Sequence, residues 1–314
     1  MEPMTTQNDR AAYLILTAMA VCFGGTWVAG AVAVEAAPPF TIAAVRFGVA
    51  SILLTAWARV ANRRLSPVRR ADLPLIAGLG LTAIAGYNWL FLTGLTLAPA
   101  SDGAIIVPGL APVFTVVLAG VILRERVGIR GYIGLAVAAA GLYLVVNPTG
   151  ATDERRLLGD LMFLAGAACW GVYSVLARIA SRRFDPVSTT LNGTALGTLI
   201  LIPPALLEGG VERLAQAPPD ALAGMAYLAI FGTVGAFVLL NMGVARIGAA
   251  RASAFALLVP IIGVLSSVAL LDERLGPLTV VGGAIVLIGL WLVEHRATEP
   301  RSTSRHTEMN AADA

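Results

Sequence analysis

Leu123-Arg124-Glu125-Arg126-Val127-Gly128 is answered 148 residues later by Leu271-Asp272-Glu273-Arg274-Leu275-Gly276. Each copy follows an apolar run with a proline 13 residues before the glutamate, Pro112 and Pro260. Each leads into another apolar run with glycines at matching places, Gly134 and Gly141 against Gly282 and Gly289. A charged hinge between two hydrophobic stretches, written twice, implies a membrane protein assembled from two copies of one unit, an architecture typical of transporters.

Composition agrees with that reading. Of 314 residues, 57% are hydrophobic and only 13% charged, about half of the roughly 25% charge of a soluble domain. The mean hydropathy is +0.80. Net charge is +3, and all 22 basic residues are arginines. Met1 to Arg10 is polar, and the apolar run from Ala11 to Val34 is longer than a signal-peptide core, so it is expected to remain as a span. The two cysteines, Cys22 and Cys169, take matching places in the two halves and fit small apolar fillers better than a disulfide or metal pair.

Hydropathy and its breaks predict an all-α polytopic membrane protein with ten transmembrane helices. They run near 11–34, 39–59, 72–94, 98–123, 128–146, 157–179, 186–207, 220–243, 250–271 and 277–295. The domain plan is then a cytoplasmic N-terminus (1–10), a first five-helix repeat (11–146), an extracytoplasmic linker (147–157), a second repeat (158–295) and a polar cytoplasmic tail (296–314). Placing the N-terminus in the cytoplasm puts most arginines inside, Arg59, Arg69, Arg70, Arg182 and Arg183 among them. Outside fall only Arg155, Arg156, Arg213 and Arg274, each beside an acidic residue. Five helices per repeat is an odd number, so the second repeat lies inverted against the first, the arrangement that supports alternating access.

Certain side chains are costly in hydrocarbon and so point to a cavity. Arg46 lies about eight residues into the second span, roughly 12 Å from its end, where an arginine costs at least ~2.5 kcal/mol without a partner. A substrate carboxylate, helix-end carbonyls or Asp102 would each serve. Asp102 itself fits either a proton or amine site or a first-turn acid against the helix dipole. Phe23, Trp27 and Gly30 share one helix face, and Trp170, Tyr173 and Ser174 form the matching face of the second half. Tyr87, Asn88, Thr233, Phe237 and Asn241 complete the set, and both asparagines are expected to face inward because an amide in hydrocarbon needs a partner. The substrate-binding candidates are thus Trp27, Arg46, Tyr87, Asn88, Trp170, Tyr173 and Asn241. Glu125 and Glu273 fit a gate latch, a proton site or an interfacial anchor held by arginine and by the free amides of the next helix. Pro108, Pro112 and Pro260 are expected to interrupt the fourth and ninth helices. A small-residue ridge of Gly131, Gly134, Ala138 and Gly141 suits close helix contact, within the chain or between protomers.

The aromatic-Gly pairs Phe23-Gly24 and Trp170-Gly171, the Pro38-Pro39-Phe40 run with Arg46-Phe47, and the proline-bearing helix ending in Leu-x-Glu-Arg in both halves carry a resemblance. Over residues 11–295 the chain resembles the EamA family of the drug/metabolite transporter superfamily. That resemblance implies a ten-helix inverted-repeat bundle exporting small metabolites across a bacterial inner membrane, with aromatic and other amino-acid exporters prominent in the family. Phe23, where the family often has tryptophan, and the additional Pro108 are departures.

Rival classes fare worse. Hydrolytic chemistry in a membrane usually needs a histidine or paired carboxylates, and His295 and His306 lie at or beyond the last span. No selectivity-filter sequence or repeated charge ring marks a channel, so no catalytic, metal or cofactor site is expected. Few ionisable groups in the spans favour an amphipathic substrate, an amino acid or a small drug or toxin, over a strongly charged one. The expected partners are that small molecule and the lipid bilayer, with no nucleic acid; a single chain suffices for transport. Single cysteines at Ala151 and Thr303 test the topology. An impermeant reagent applied to intact cells should label the first and spare the second, and labelling of Thr303→Cys overturns the ten-span plan.

Overall fold

The computed structural model describes residues 5–62, 65–123, 129–146, 153–248, 251–252 and 254–294. Glu125, the centre of the linker and the tail beyond residue 294 lie outside them. Among the described residues the fold is all-helical: α1 (Thr5–Gly24), α2 (Thr26–Ala36), α3 (Pro39–Val60), α4 (Leu73–Leu79), α5 (Tyr87–Leu95), α6 (Ala100–Ile122), α7 (Ile129–Val146) and α8 (Glu154–Ala180). There follow α9 (Pro186–Leu207), a short α10 (Gly210–Ala215), α11 (Pro219–Ala229), α12 (Ala236–Ile247), α13 (Leu258–Leu270) and α14 (Pro277–Glu294). Among the described residues seven helical stretches are long and apolar enough to cross a membrane, and Gly131–Val146, Phe255–Leu270 and Pro277–Leu292 are shorter apolar helices.

Two of the long stretches contain a wide π turn. Gly80–Gly86 joins α4 to α5, and Ile230–Gly235 joins α11 to α12. Another is nearly continuous across α1 and α2, with its break at Gly25. A Cβ there would collide with the Tyr227 hydroxyl, which donates to the carbonyls of Val21 at 3.1 Å and Cys22 at 3.3 Å.

The two prolines of the fourth span behave differently from expectation. α6 runs as one helix through Pro108 and Pro112. Pro260 sits in the first turn of α13, after a 3-10 turn over Ala254–Leu257, where a missing amide costs nothing because first-turn amides have no intrahelical acceptor.

Several helix starts are capped by side chains from distant segments. Pro38 cannot cap α3, and the Thr41 amide instead donates to Glu208 Oε2, 3.0 Å away, just past the end of α9. Pro99 likewise precedes α6, and the amides of Ala100 and Ser101 donate to the two oxygens of Glu273 at 2.7 and 3.0 Å. The anchor expected for Glu273 is therefore the start of α6 rather than of the following helix. At the same end Arg156, in the first turn of α8, grips Asp102 with Nε and Nη2 at 2.8 and 2.9 Å, so Asp102 pairs with Arg156 and not with Arg46. At the opposite end Arg183 bonds Asp72 at 2.6 Å, and Ser66 donates to Asp185, which caps α9 by accepting from the Val187 and Ser188 amides. Burial pushes the Asp185 carboxyl up, but bonds from Ser188, Ser66 and Val187 outweigh it and hold it below the usual carboxylate range.

The small-residue ridge lies within the chain, between α7 and α14. A Cβ on Gly141 would stand 2.6 Å from the Gly282 carbonyl oxygen, and one on Gly289 2.6 Å from the Ala138 amide nitrogen. Backbone stands on both sides, so a larger residue has nowhere to rotate. Gly141→Leu should destabilise the protein by about 1–3 kcal/mol through overpacking, visible as a lower unfolding midpoint in detergent. An unchanged midpoint means that α7 and α14 can separate without cost.

Candidate functional site

A cavity of about 450 Å³ lies between the helices, within the roughly 300–1,000 Å³ of small-molecule sites. Its wall includes Thr189 and Thr190 from the first turns of α9, so it extends toward the end where α4 and α9 begin. Among the described residues that line it, none comes from the first turn of α3, α6 or α8.

Arg46 sits two turns into α3, 7% exposed, and joins the two π turns. Its Nε donates to Thr233 Oγ1 at 3.0 Å, its Nη1 to Asn88 Oδ1 at 3.0 Å, and its Nη2 to the Gly232 carbonyl at 3.4 Å. Each acceptor exists because of a π turn. Widening a turn to i→i−5 leaves a carbonyl short of its usual partner. Asn88 Nδ2 donates to the Ala83 carbonyl and Thr233 Oγ1 to the Leu228 carbonyl, both at 2.9 Å and both five residues back. These side chains are thereby fixed, and their oxygens face the guanidinium.

All three acceptors are neutral. A guanidinium has five N–H donors, so two remain beyond these three. The Phe47 ring lies 4.9 Å from Cζ and adds a weak cation–π contact. The site therefore presents a cation to the cavity, and no carboxylate among the described residues bonds it.

Aromatic rings form much of the remaining wall. Tyr173 and Trp170 have centroids 5.2 Å apart, Trp170 and Tyr87 5.2 Å, Tyr87 and Phe91 5.9 Å, and Phe91 and Trp27 5.0 Å. Trp27 is also wedged between α6 and α13, for a Cβ at Gly103 or Gly263 would run into its indole. It ends the chain of rings against Phe163, toward the end where α6 and α8 begin.

Six of the seven residues singled out from sequence meet here: Trp27, Arg46, Tyr87, Asn88, Trp170 and Tyr173 all line the cavity. Asn241 does not. It is exposed on α12, where Nδ2 donates to the Phe237 carbonyl one turn back at 2.8 Å. Bonding to its own helix satisfies the amide without turning it inward. Phe23, Ser174, Thr233 and Phe237 do line the cavity. Sequence reasoning missed Thr189, Thr190 and Thr194 on α9; three threonines within six residues of an apolar helix were the available signal.

The model of the EamA-like transporter family matches this chain twice, over residues 10–147 and 157–294. The chain belongs to that family. It is 29% identical over 88% of its length to the uncharacterized transporter YyaM of Bacillus subtilis (strain 168), covering 92% of that protein. It is 32% identical over 80% of its length to a "probable terminal-alkyne amino-acid exporter" of Streptantibioticus cattleyicolor, covering 82% of it. A crystal structure 22% identical matches with a TM-score of 0.59, over 93% of this chain and 99% of that one, which is a likeness of fold. The family and these relatives are transporters rather than enzymes. The chain is a multi-pass membrane transporter.

The Arg46 network yields a direct test. Thr233→Val keeps the shape but strands the Leu228 carbonyl and Arg46 Nε, which should cost about 1–3 kcal/mol for buried unsatisfied groups. Thermal unfolding in detergent should show a lower midpoint. A midpoint equal to wild type removes Thr233 from the clamp.

Proposed function

We propose that this protein exports small amphipathic metabolites, foremost amino acids with aromatic or large apolar side chains, across a bacterial inner membrane by alternating access. The observation that carries this reading is Arg46, a guanidinium on the cavity wall whose protein partners are all neutral. A free carboxylate would supply the missing charge, and two N–H groups remain to receive it. The ring chain from Tyr173 to Trp27 suits an apolar or aromatic side chain opposite that carboxylate. The name of the Streptantibioticus relative points to the same substrate class.

In this reading ten helices cross the membrane as two inverted repeats with both termini cytoplasmic. The twofold family match and the paired π turns support it. The cavity then opens toward the cytoplasm, and the end holding Glu273, Glu208 and Asp102 is the closed outer gate. One chain in a lipid bilayer is enough to carry the substrate.

Arg46→Gln retains donors and removes the charge, and proteoliposomes loaded with labelled substrates measure its effect. Transport of free aromatic amino acids should fall at least about tenfold, the equivalent of one lost charge-assisted bond, while their amides lose far less. Equal loss for acids and amides assigns Arg46 to the scaffold. Transport of neutral toxins with no amino-acid transport would favour a drug exporter instead.

A further inference from the structure

One buried acid has no part in the cavity. Asp160 lies on α8, one turn after Arg156, and is 1% exposed. Neither of its carboxyl oxygens accepts a bond from an N–H or O–H of the described residues. It stands within hydrogen-bonding reach of Asp102 on α6, which is fully buried. The Arg156 Nε and Nη2 are committed to the two oxygens of Asp102, and no arginine among the described residues bonds Asp160. Glu273, reaching in after α13, adds a third carboxyl beside Asp102 and is held by the Ala100 and Ser101 amides. Arg155 turns away to the Thr96 carbonyl, and Asp153 caps the start of α8.

With both ionised, the Asp160 and Asp102 carboxylates would share one arginine in a buried place. A charge left there without a partner costs several kcal/mol, and the group escapes that cost by taking up a proton. A neutral Asp160 would have an O–H to give to Asp102, which would meet its unmade hydrogen bond. Asp102 remains the carboxylate that Arg156 requires.

We propose that Asp160 and Asp102 form a proton-binding site, and that one proton shared between them holds this end of the bundle closed. The site joins the starts of α6 and α8, the segments that must part if the cavity is to open here, while Glu273 keeps the end of α13 with α6. Loss of the proton sets two carboxylates against each other at the α6–α8 contact and favours opening. Closing this end then takes up one proton from the side it faces. The identification of this end as a gate rests on the transporter reading above, but the proton site itself does not depend on which substrate is carried.

The test uses full-length protein in detergent with Cys22 and Cys169 replaced by serine, without substrate. Ala98→Cys places a thiol at a buried position against Gly159, close to the cluster, and Gln216→Cys gives an exposed reference for thiol ionisation. Alkylation of the first, normalised to the second, should rise by up to about tenfold per pH unit across the interval where the pair releases its proton. Asp160→Asn keeps a donor toward Asp102 and cannot ionise, so its normalised rate should stay low and flat. A wild-type rate that does not change with pH overturns the proposal without recourse to any variant, as does an unaltered pH response in Asp160→Asn. Because no transport is measured, failure of the amino-acid assignment leaves this result standing, and the reverse also holds.

Discussion

A guanidinium in the middle of an apolar bundle must be satisfied from every direction, and the centre of this protein is organised around that demand. Arg46 extends from α3 to two separate π turns, taking one side-chain oxygen from each and a backbone carbonyl from the second. The π turns need Asn88 and Thr233 to mend their own hydrogen bonding, and the arginine needs those same side chains as acceptors. Together they fix the relative position of α3, α5 and α12, and with it the shape of the cavity.

The large pattern was legible because hydrophobic cost is additive along a helix. Repeated apolar runs, matched hinges and matched glycines carried the helical class and the twofold family match. The site was partly legible for the same reason, since Arg46 and Asn88 are too costly to face lipid. Asn241 shows where that logic fails, because its amide closes onto the Phe237 carbonyl and pays no such penalty at the surface. The π turns left no distinct mark in hydropathy; Gly80–Gly86 and Ile230–Gly235 are as apolar as ordinary helix. The partners of Glu273 and Asp102 were hidden too, since they come from segments remote in sequence, and contact between such segments has no local signature.

The two ends of the bundle are held by different means. At the end where α4 and α9 begin, Asp185 caps its own helix and Ser66 joins it from the preceding loop region. At the other end α8 caps itself through Asp153, but α3 and α6 borrow their caps from Glu208 and Glu273, while Arg156 and Asp102 link α6 to α8. Aromatic packing of Trp27 on Phe91 and Phe163 lies beneath that second end. The cavity approaches the first end and stops short of the second.

A borrowed cap restricts how a helix can move. Sliding α6 along its axis by one turn would pull the Ala100 and Ser101 amides off the Glu273 carboxylate, whereas tilting about that point keeps both bonds. The same holds for α3 at Glu208. Each carboxylate is therefore a pivot: it permits rocking and forbids translation, and it makes α6 travel with α13 and α3 with α9. Any parting at this end has to run along the line that no pivot crosses, between α6 and α8, where the Asp102–Arg156 bond, the Asp160–Asp102 pair and the packing of Ala98 on Gly159 tie the two helix starts together.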